Sequence, residues 1–242
     1  MRAFLIPLAL LLPVAAAAQT FTPTQRDEIV RIVREALKSD PAILREALTS
    51  LQADEARRQD KVVSDVLGLI GAKLVDPADP VAGNPQGNVT LVEFYDTRCP
   101  YCRHMLPTMT EFLRSDPNVR VVYKDWPILG PASQLESRAL LAAQRQNGYF
   151  KLQEALMASS TPSTRDSIRA EAGRLGLDGD RILHDMDDPA IKARLDNNLA
   201  LAQQIGLQGT PAIIIGQRLI GGAMDLAELR QAVAEARAPK GN

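Results

Sequence analysis

The sequence predicts an α/β sandwich that carries an all-helical insertion and is preceded by a helical N-terminal extension. Three observations lead there. The apolar run 89–96 reads as a buried strand, and residues 105–113 behind it have helical spacing. From 131 to about 206 the pattern is wholly helical, after which sheet spacing returns at 211–215 and 218–220. A separate set of helical stripes fills residues 21 to about 75, ahead of a turn-rich boundary.

The chain has 242 residues, 28 basic and 29 acidic, with two histidines, one tryptophan and two cysteines. So even a charge balance gives no reason to expect nucleic acid or an anionic membrane as a partner. Residues 1–18 have the layout of a secretory signal peptide: Arg2, an apolar core over 3–12, then small residues ending Ala16-Ala17-Ala18. Cleavage is expected after Ala18. The apolar core is too short to span a bilayer, so the expected product is exported to the periplasm, where a cysteine pair can be oxidised.

Residues 19–75 form the expected extension. Thr22 is placed as an N-cap, Pro23 as the first helical residue and Gln25 as the return partner of a capping box. Ile29, Val33, Ala36 and Leu37 share one face. Asp40-Pro41 repeats the start signal, and Ile43, Leu44, Ala47, Leu48 and Leu51 make a second stripe. The polar run 52–61 continues as helix or hinges, and Val62, Val63, Val66, Leu67 and Ile70 make a third face. So small a helical piece cannot bury three stripes alone. They pack on the main domain or on a second copy, and homo-oligomerisation through residues 21–75 is the preferred reading.

The main domain is drawn as 76–242. It opens with turns over 76–88, then the strand and helix already named, then a second strand over 119–125. The helical insertion, 131–206, has breaks expected at Gly148, 159–163 and 175–180. A hairpin turning at Gly216-Gln217 follows, and a last helix from about Leu226 to Arg237 with Asp225 as N-cap.

Between the first strand and its helix lies Thr97-Arg98-Cys99-Pro100-Tyr101-Cys102-Arg103-His104. A helix whose first turn carries Cys-x-x-Cys sets one sulfur against unpaired N–H groups that favour thiolate, with the second sulfur one turn away. Zinc would need two more ligands, and only His104 and His184 remain. Covalent haem attachment wants His where Arg103 stands. A bridge across two residues constrains the unfolded chain too little to be structural. A redox dithiol is the reading that survives.

In order along the chain, Val92-Glu93-Phe94, Cys99-Pro100-Tyr101-Cys102, the run from Lys124 to Gly130 and Gly209-Thr210-Pro211 resemble the DsbA-like branch of the thioredoxin superfamily. The resemblance covers about residues 80–240 and implies a thioredoxin fold with an all-helical insertion. The extension resembles that of the subgroup holding the suppressor-of-copper-sensitivity (ScsC) and Com1-type proteins, in which such extensions mediate oligomerisation.

Roles follow from that resemblance. Cys99, first and at the exposed helix start, is the expected attacking sulfur, and Cys102 the buried resolving thiol. Pro100 shapes the motif and Tyr101 tunes it, both at the substrate-binding face. Glu93 matches the family's buried acid, proposed to pass a proton to or from the resolving cysteine; a raised pKa is expected, and Lys124 is a candidate charged neighbour. Pro211 matches the family's cis-proline beside the dithiol, and Thr210 would place a hydroxyl near Cys99; both are catalytic and substrate-binding candidates. Arg98 and Arg103 flank the pair, as helpers to the thiolate or as solvated charge. His104 reads as a helix surface residue and His184 as structural.

The function expected is disulfide exchange with cysteine-containing substrate proteins, leaning toward isomerase or reductase, with recharging by a membrane redox partner. No cofactor or metal is expected, because the reversible Cys99–Cys102 disulfide is itself the redox centre. A disulfide-donating oxidase, a Cu(I)-binding copper-tolerance protein and an adaptor using the fold only as a scaffold are the alternatives.

Overall fold

The computed structural model describes residues 21–238, so the expected signal peptide lies outside the described residues. The chain divides into two compact units between Glu55 and Ala56. The first holds α1 (Pro23–Ser39) and the opening half of α2 (Pro41–Ile70). Thr22 caps α1 through a full capping box: its hydroxyl accepts from the Gln25 N–H at 3.3 Å, and Gln25 Oε1 accepts from the Thr22 N–H at 2.9 Å. Asp40 accepts from the Ala42 N–H at the start of α2. The polar run 52–61 continues as unbroken helix. No residue of α1 is buried, and Ile29, Val33, Leu44, Leu48 and Leu51 remain exposed.

The second unit is built on five strands, β1 (Val81–Gly83), β2 (Val89–Tyr95), β3 (Val119–Asp125), β4 (Ala212–Ile215) and β5 (Arg218–Gly221). They lie in the order β1-β3-β2-β4-β5, with β2 and β3 parallel and the other pairings antiparallel. β2 and β3 are covered on both faces, which is why they read as nearly continuous apolar runs. α3 (Pro100–Ser115) links them, and α9 (Leu226–Arg237) closes the domain behind an Asp225 capping box. Between β3 and β4 run α4 (Pro131–Gln144), α5 (Tyr149–Ala158), α6 (Arg165–Arg174), α7 (Gly179–Asp185) and α8 (Pro189–Ile205). This is a thioredoxin fold with an all-helical insertion.

Side-chain alternation separates two cores. Leu91, Tyr95, Val121, Tyr123 and Ile213 face α3, α9 and the insertion, whereas Val92, Phe94, Val122, Ala212 and Ile214 face Ala202 and Ile205 of α8. Val63, Leu67 and Ile70 belong to the second core. The extension drawn from the sequence as 19–75 therefore gives its last apolar stripe to the main domain. Spacing shows that a stripe must be buried, not what buries it.

β1 was hidden in the turn-rich boundary, being too short for a period-two pattern. Just before it, Asp79 meets Lys124 at 2.6 Å, both side chains nearly sealed from solvent. Lys124 stands in register with Phe94, whereas Glu93 stands in register with Tyr123. The expected Glu93–Lys124 neighbourhood is thus corrected: adjacent registers point to opposite faces of the sheet. Removing one partner of a buried pair strands the other. Lys124→Met should cost about 3 kcal/mol, the low end of the usual range, because Arg194 still lies 3.6 Å from Asp79. Urea unfolding at pH 7 measures it; a loss well under 1 kcal/mol would contradict the assignment.

Candidate active site

Cys99 is the N-cap of α3 and Pro100 its first helical residue, where the missing N–H costs nothing. Both cysteines are free thiols. Cys99 Sγ lies 3.1 Å from the carbonyl oxygen of Thr210, to which it donates. Only 5% of Cys99 is exposed, so this residue is more covered than its place at a helix start suggests. The Thr210–Pro211 peptide, which is cis as the family resemblance implied, is what lies against it. Pro100 and Tyr101 stand at the open rim, with Tyr101 67% exposed.

Cys102 is 1% exposed and packs in the first core with Met105 and Met109. Burial pushes its thiol far up, and the negative charges of Cys99 and Glu93 push the same way. The Asp96 backbone and the Thr210 side chain pull it the other way. The Thr210 carbonyl is thus the atom that accepts from Cys99, and its side chain is among the groups that act on Cys102.

Glu93 is buried on β2, on the face that holds Cys102, and desolvation raises its carboxyl to about 8. That matches the expected buried acid. Arg98 and Arg103 are neither solvated surface nor free. Arg98 donates to the carbonyls of Ser159, Ser160 and Thr161, and Arg103 Nε donates to the Thr97 carbonyl at 2.8 Å. His104 is exposed on α3, and exposed His184 meets Asp185 at 3.0 Å. Among the described residues, no group of three or more His, Cys, Asp or Glu is gathered as a metal site.

Sequence reasoning missed the groups that hold the redox turn. Asp96, fully buried, accepts from the N–H groups of Arg98, Ile128 and Leu129 at 2.7, 2.8 and 3.0 Å. Glu136 of α4, also fully buried, accepts from Thr97 Oγ1 at 2.6 Å and Ser163 Oγ at 2.7 Å. Deeper in the same core, the Tyr149 hydroxyl donates to Asp125 at 2.8 Å, and the Tyr95 hydroxyl lies 2.7 Å from that of Tyr149. Asp96, an acid ending an apolar strand at a turn, carried a readable signal. Glu136 did not.

Comparison with known proteins gives a consistent picture. The DSBA-like thioredoxin domain family matches residues 90–234, and the copper resistance protein ScsC N-terminal domain matches residues 25–58. A thioredoxin-like oxidoreductase from Silicibacter pomeroyi is 40% identical, with 68% of this chain and 95% of that one covered and a TM-score of 0.65. ScsC of Proteus mirabilis in a transitional conformation is 29% identical, covering 89% of this chain and 98% of that one, with a TM-score of 0.64. Among curated relatives, the Na(+)/H(+) antiporter NhaA 3 of Salinispora tropica is 29% identical over 185 residues, which are 75% of this chain and 28% of that protein. This chain thus spans little more than a quarter of that relative, and among its described residues no helix is long and apolar enough to cross a membrane.

The buried acids make stability pH-dependent. Desolvation, the largest cause in each case, raises Glu93 to about 8 and Asp125 to about 7, the latter against lowering contributions from Tyr149, Arg194 and Tyr95. Below the unfolded-state values neither state ionises, and these groups cost nothing. As pH rises from about 4 to about 8 the unfolded chain ionises first, so stability falls through that window and levels above it. Glu93→Gln removes the Glu93 share, on the order of 4 kcal/mol, and with it the slope between about pH 7 and 8. Urea unfolding from pH 4 to 9 should show the two curves diverging as pH rises. Parallel curves would mean that Glu93 is not held neutral.

Proposed function

The chain belongs to the DSBA-like thioredoxin family, and from that premise we propose that it is an exported thiol–disulfide oxidoreductase acting on cysteine-containing proteins through Cys99 and Cys102. The observation that carries this is the division of labour between the sulfurs. Cys99 caps a helix against the Thr210 carbonyl, next to the exposed Pro100 and Tyr101, and Cys102 lies deeper, in the core on the sheet face that carries a buried acid.

The Cys99 thiolate attacks one sulfur of a substrate disulfide, forming a Cys99–substrate bond and releasing the other substrate sulfur as thiolate. Cys102 then attacks Cys99, closing the internal disulfide and releasing the second substrate thiolate. Two electrons pass from the dithiol to the substrate, and the reverse sequence donates a disulfide. Cys102 must shed a proton to attack. Glu93 takes it and returns it when the internal disulfide is reduced; a carboxyl near 8 is a better match for a thiol than one at 4.5. Pro211 and Thr210 line the sulfurs, and Tyr101 with Pro100 offers the exposed rim on which substrate rests.

On direction we favour isomerase or reductase, with a membrane redox partner keeping the pair reduced. Support comes from the pairing of Cys-Pro-Tyr-Cys with Thr210 and from the exposed stripes of the extension, which suit assembly of several dithiols around one substrate. The match of residues 25–58 to the ScsC N-terminal domain fits the same reading of the extension as a homo-oligomerisation segment.

Cys102→Ala leaves the attacking sulfur without its resolver, so it should accumulate mixed disulfides through Cys99 that reductant releases; their absence from exported extracts would contradict exchange. Tight Cu(I) binding by a reduced protein that exchanges no thiols would favour metal sequestration instead. Sedimentation should give a mass above that of one chain, and Leu48→Glu should lower it to a monomer; a monomer at every concentration of the unaltered protein would refute self-association.

A further inference from the structure

Arg98 precedes the attacking cysteine, and its guanidinium is largely enclosed. Besides the carbonyls of Ser159, Ser160 and Thr161, it faces one anion, Glu136, at 3.6 Å, with the Arg98 side chain 15% exposed and that of Glu136 fully buried. Glu136 is locked from its other sides by the Thr97 hydroxyl at 2.6 Å, the Ser163 hydroxyl at 2.7 Å and the Ser163 N–H at 3.3 Å. Arg103 joins the same cluster. Burial, then the charge of Arg98, pulls its guanidinium below the ordinary value, while Glu136, Asp96 and Cys99 act in the opposite sense. Two guanidiniums and two carboxylates are therefore gathered on the turn that leads into Cys99. Asp96 is occupied by three backbone amides, which leaves Glu136 as the carboxylate set against Arg98.

A thiolate held by nearby cations is a good leaving group, and its disulfide is correspondingly oxidising. A fixed anion facing those cations works against that. Resting on the exchange reading above, we propose that Glu136 is a positioning residue that tempers the oxidising power of the Cys99–Cys102 pair by neutralising Arg98, the residue that leads into Cys99. The residue lies on α4, so the helical insertion, and not the thioredoxin core, holds this control. The two side chains act as a unit: Glu136 orients Arg98, and Arg98 in turn ties the 159–161 carbonyls to the redox turn.

Charge is separable from packing by near-isosteric changes. Glu136→Gln keeps an acceptor for Thr97 and Ser163 but frees the Arg98 charge. Its equilibrium with glutathione should move about tenfold toward reduced protein, ~30 mV for a two-electron couple. Arg98→Met should move it the other way, and the double variant should return to within about twofold of the unaltered protein, because the two opposite changes of charge cancel. Asp79→Asn, which loosens a buried ion pair on the opposite sheet face, should lower the melting temperature and leave the equilibrium in place. An unshifted or oppositely shifted Glu136→Gln, a double variant that keeps the full single-variant shift, or an equal shift in Asp79→Asn would each overturn the proposal. If Glu136→Gln does not fold, the sign of the Arg98→Met shift decides. Failure of the unaltered protein to exchange with glutathione would overturn the exchange reading itself, whereas exchange with an unshifted Glu136→Gln overturns only this inference.

Discussion

Cys102 is 1% exposed among Met105, Met109 and the first sheet face, and its proton can leave only toward a group that shares its burial. Much of the structure follows from that constraint. A thiol in an apolar core resists ionisation, so attack by Cys102 needs help at the sulfur and an acceptor nearby. The Asp96 backbone and the Thr210 side chain both act to lower the thiol. Glu93, on the preceding strand β2 and the sheet face that bounds the same core, is the acceptor we propose. Desolvation raises both the carboxyl and the thiol, which brings a carboxylic acid within working range of a sulfur.

The turn that carries Cys99 is held by buried carboxylates rather than by packing alone. Asp96 joins it to the backbone at Ile128 and Leu129, and Glu136 joins Thr97 and Arg98 to the insertion. Leaving either carboxylate without its donors would strand a charge in a nearly dry interior, so the partners are held firmly. The central strand and the insertion thereby converge on the three residues ahead of Cys99. A site built this way can have its poise set from a distance, through charge, while the sulfurs keep their places.

Much of this was legible in the sequence, and the parts that were not share a cause. The bounds of β3 and α9, the Thr22 and Asp225 caps, and three breaks of the insertion followed from local signals that act over a few residues, whereas the break between α7 and α8 was not read. Cys99 and Cys102 followed from spacing and the exclusion of rivals. Glu93 and Pro211 needed the family resemblance, since an acid in an apolar strand and a proline before a hairpin have ordinary explanations. What escaped depends on register and on long-range partners. Lys124 lies one residue from the register that would have met Glu93, and finds Asp79 instead. Glu136 meets Thr97 across 39 positions of chain. The third stripe of the extension, Val63 to Ile70, shows the same limit: its apolar spacing was plain, and its partner was not.

The proton path is the point on which the account turns. The direct measurement is the rate at which Cys102 displaces glutathione from a preformed Cys99–glutathione disulfide, followed by stopped flow across pH for the unaltered protein and for Glu93→Gln. The account predicts a rate that rises with pH and inflects near 8, the value to which burial raises Glu93, with a slower profile lacking that inflection in the variant. Superimposable profiles would contradict it, and would leave Glu93 a buried carboxyl with no part in the exchange.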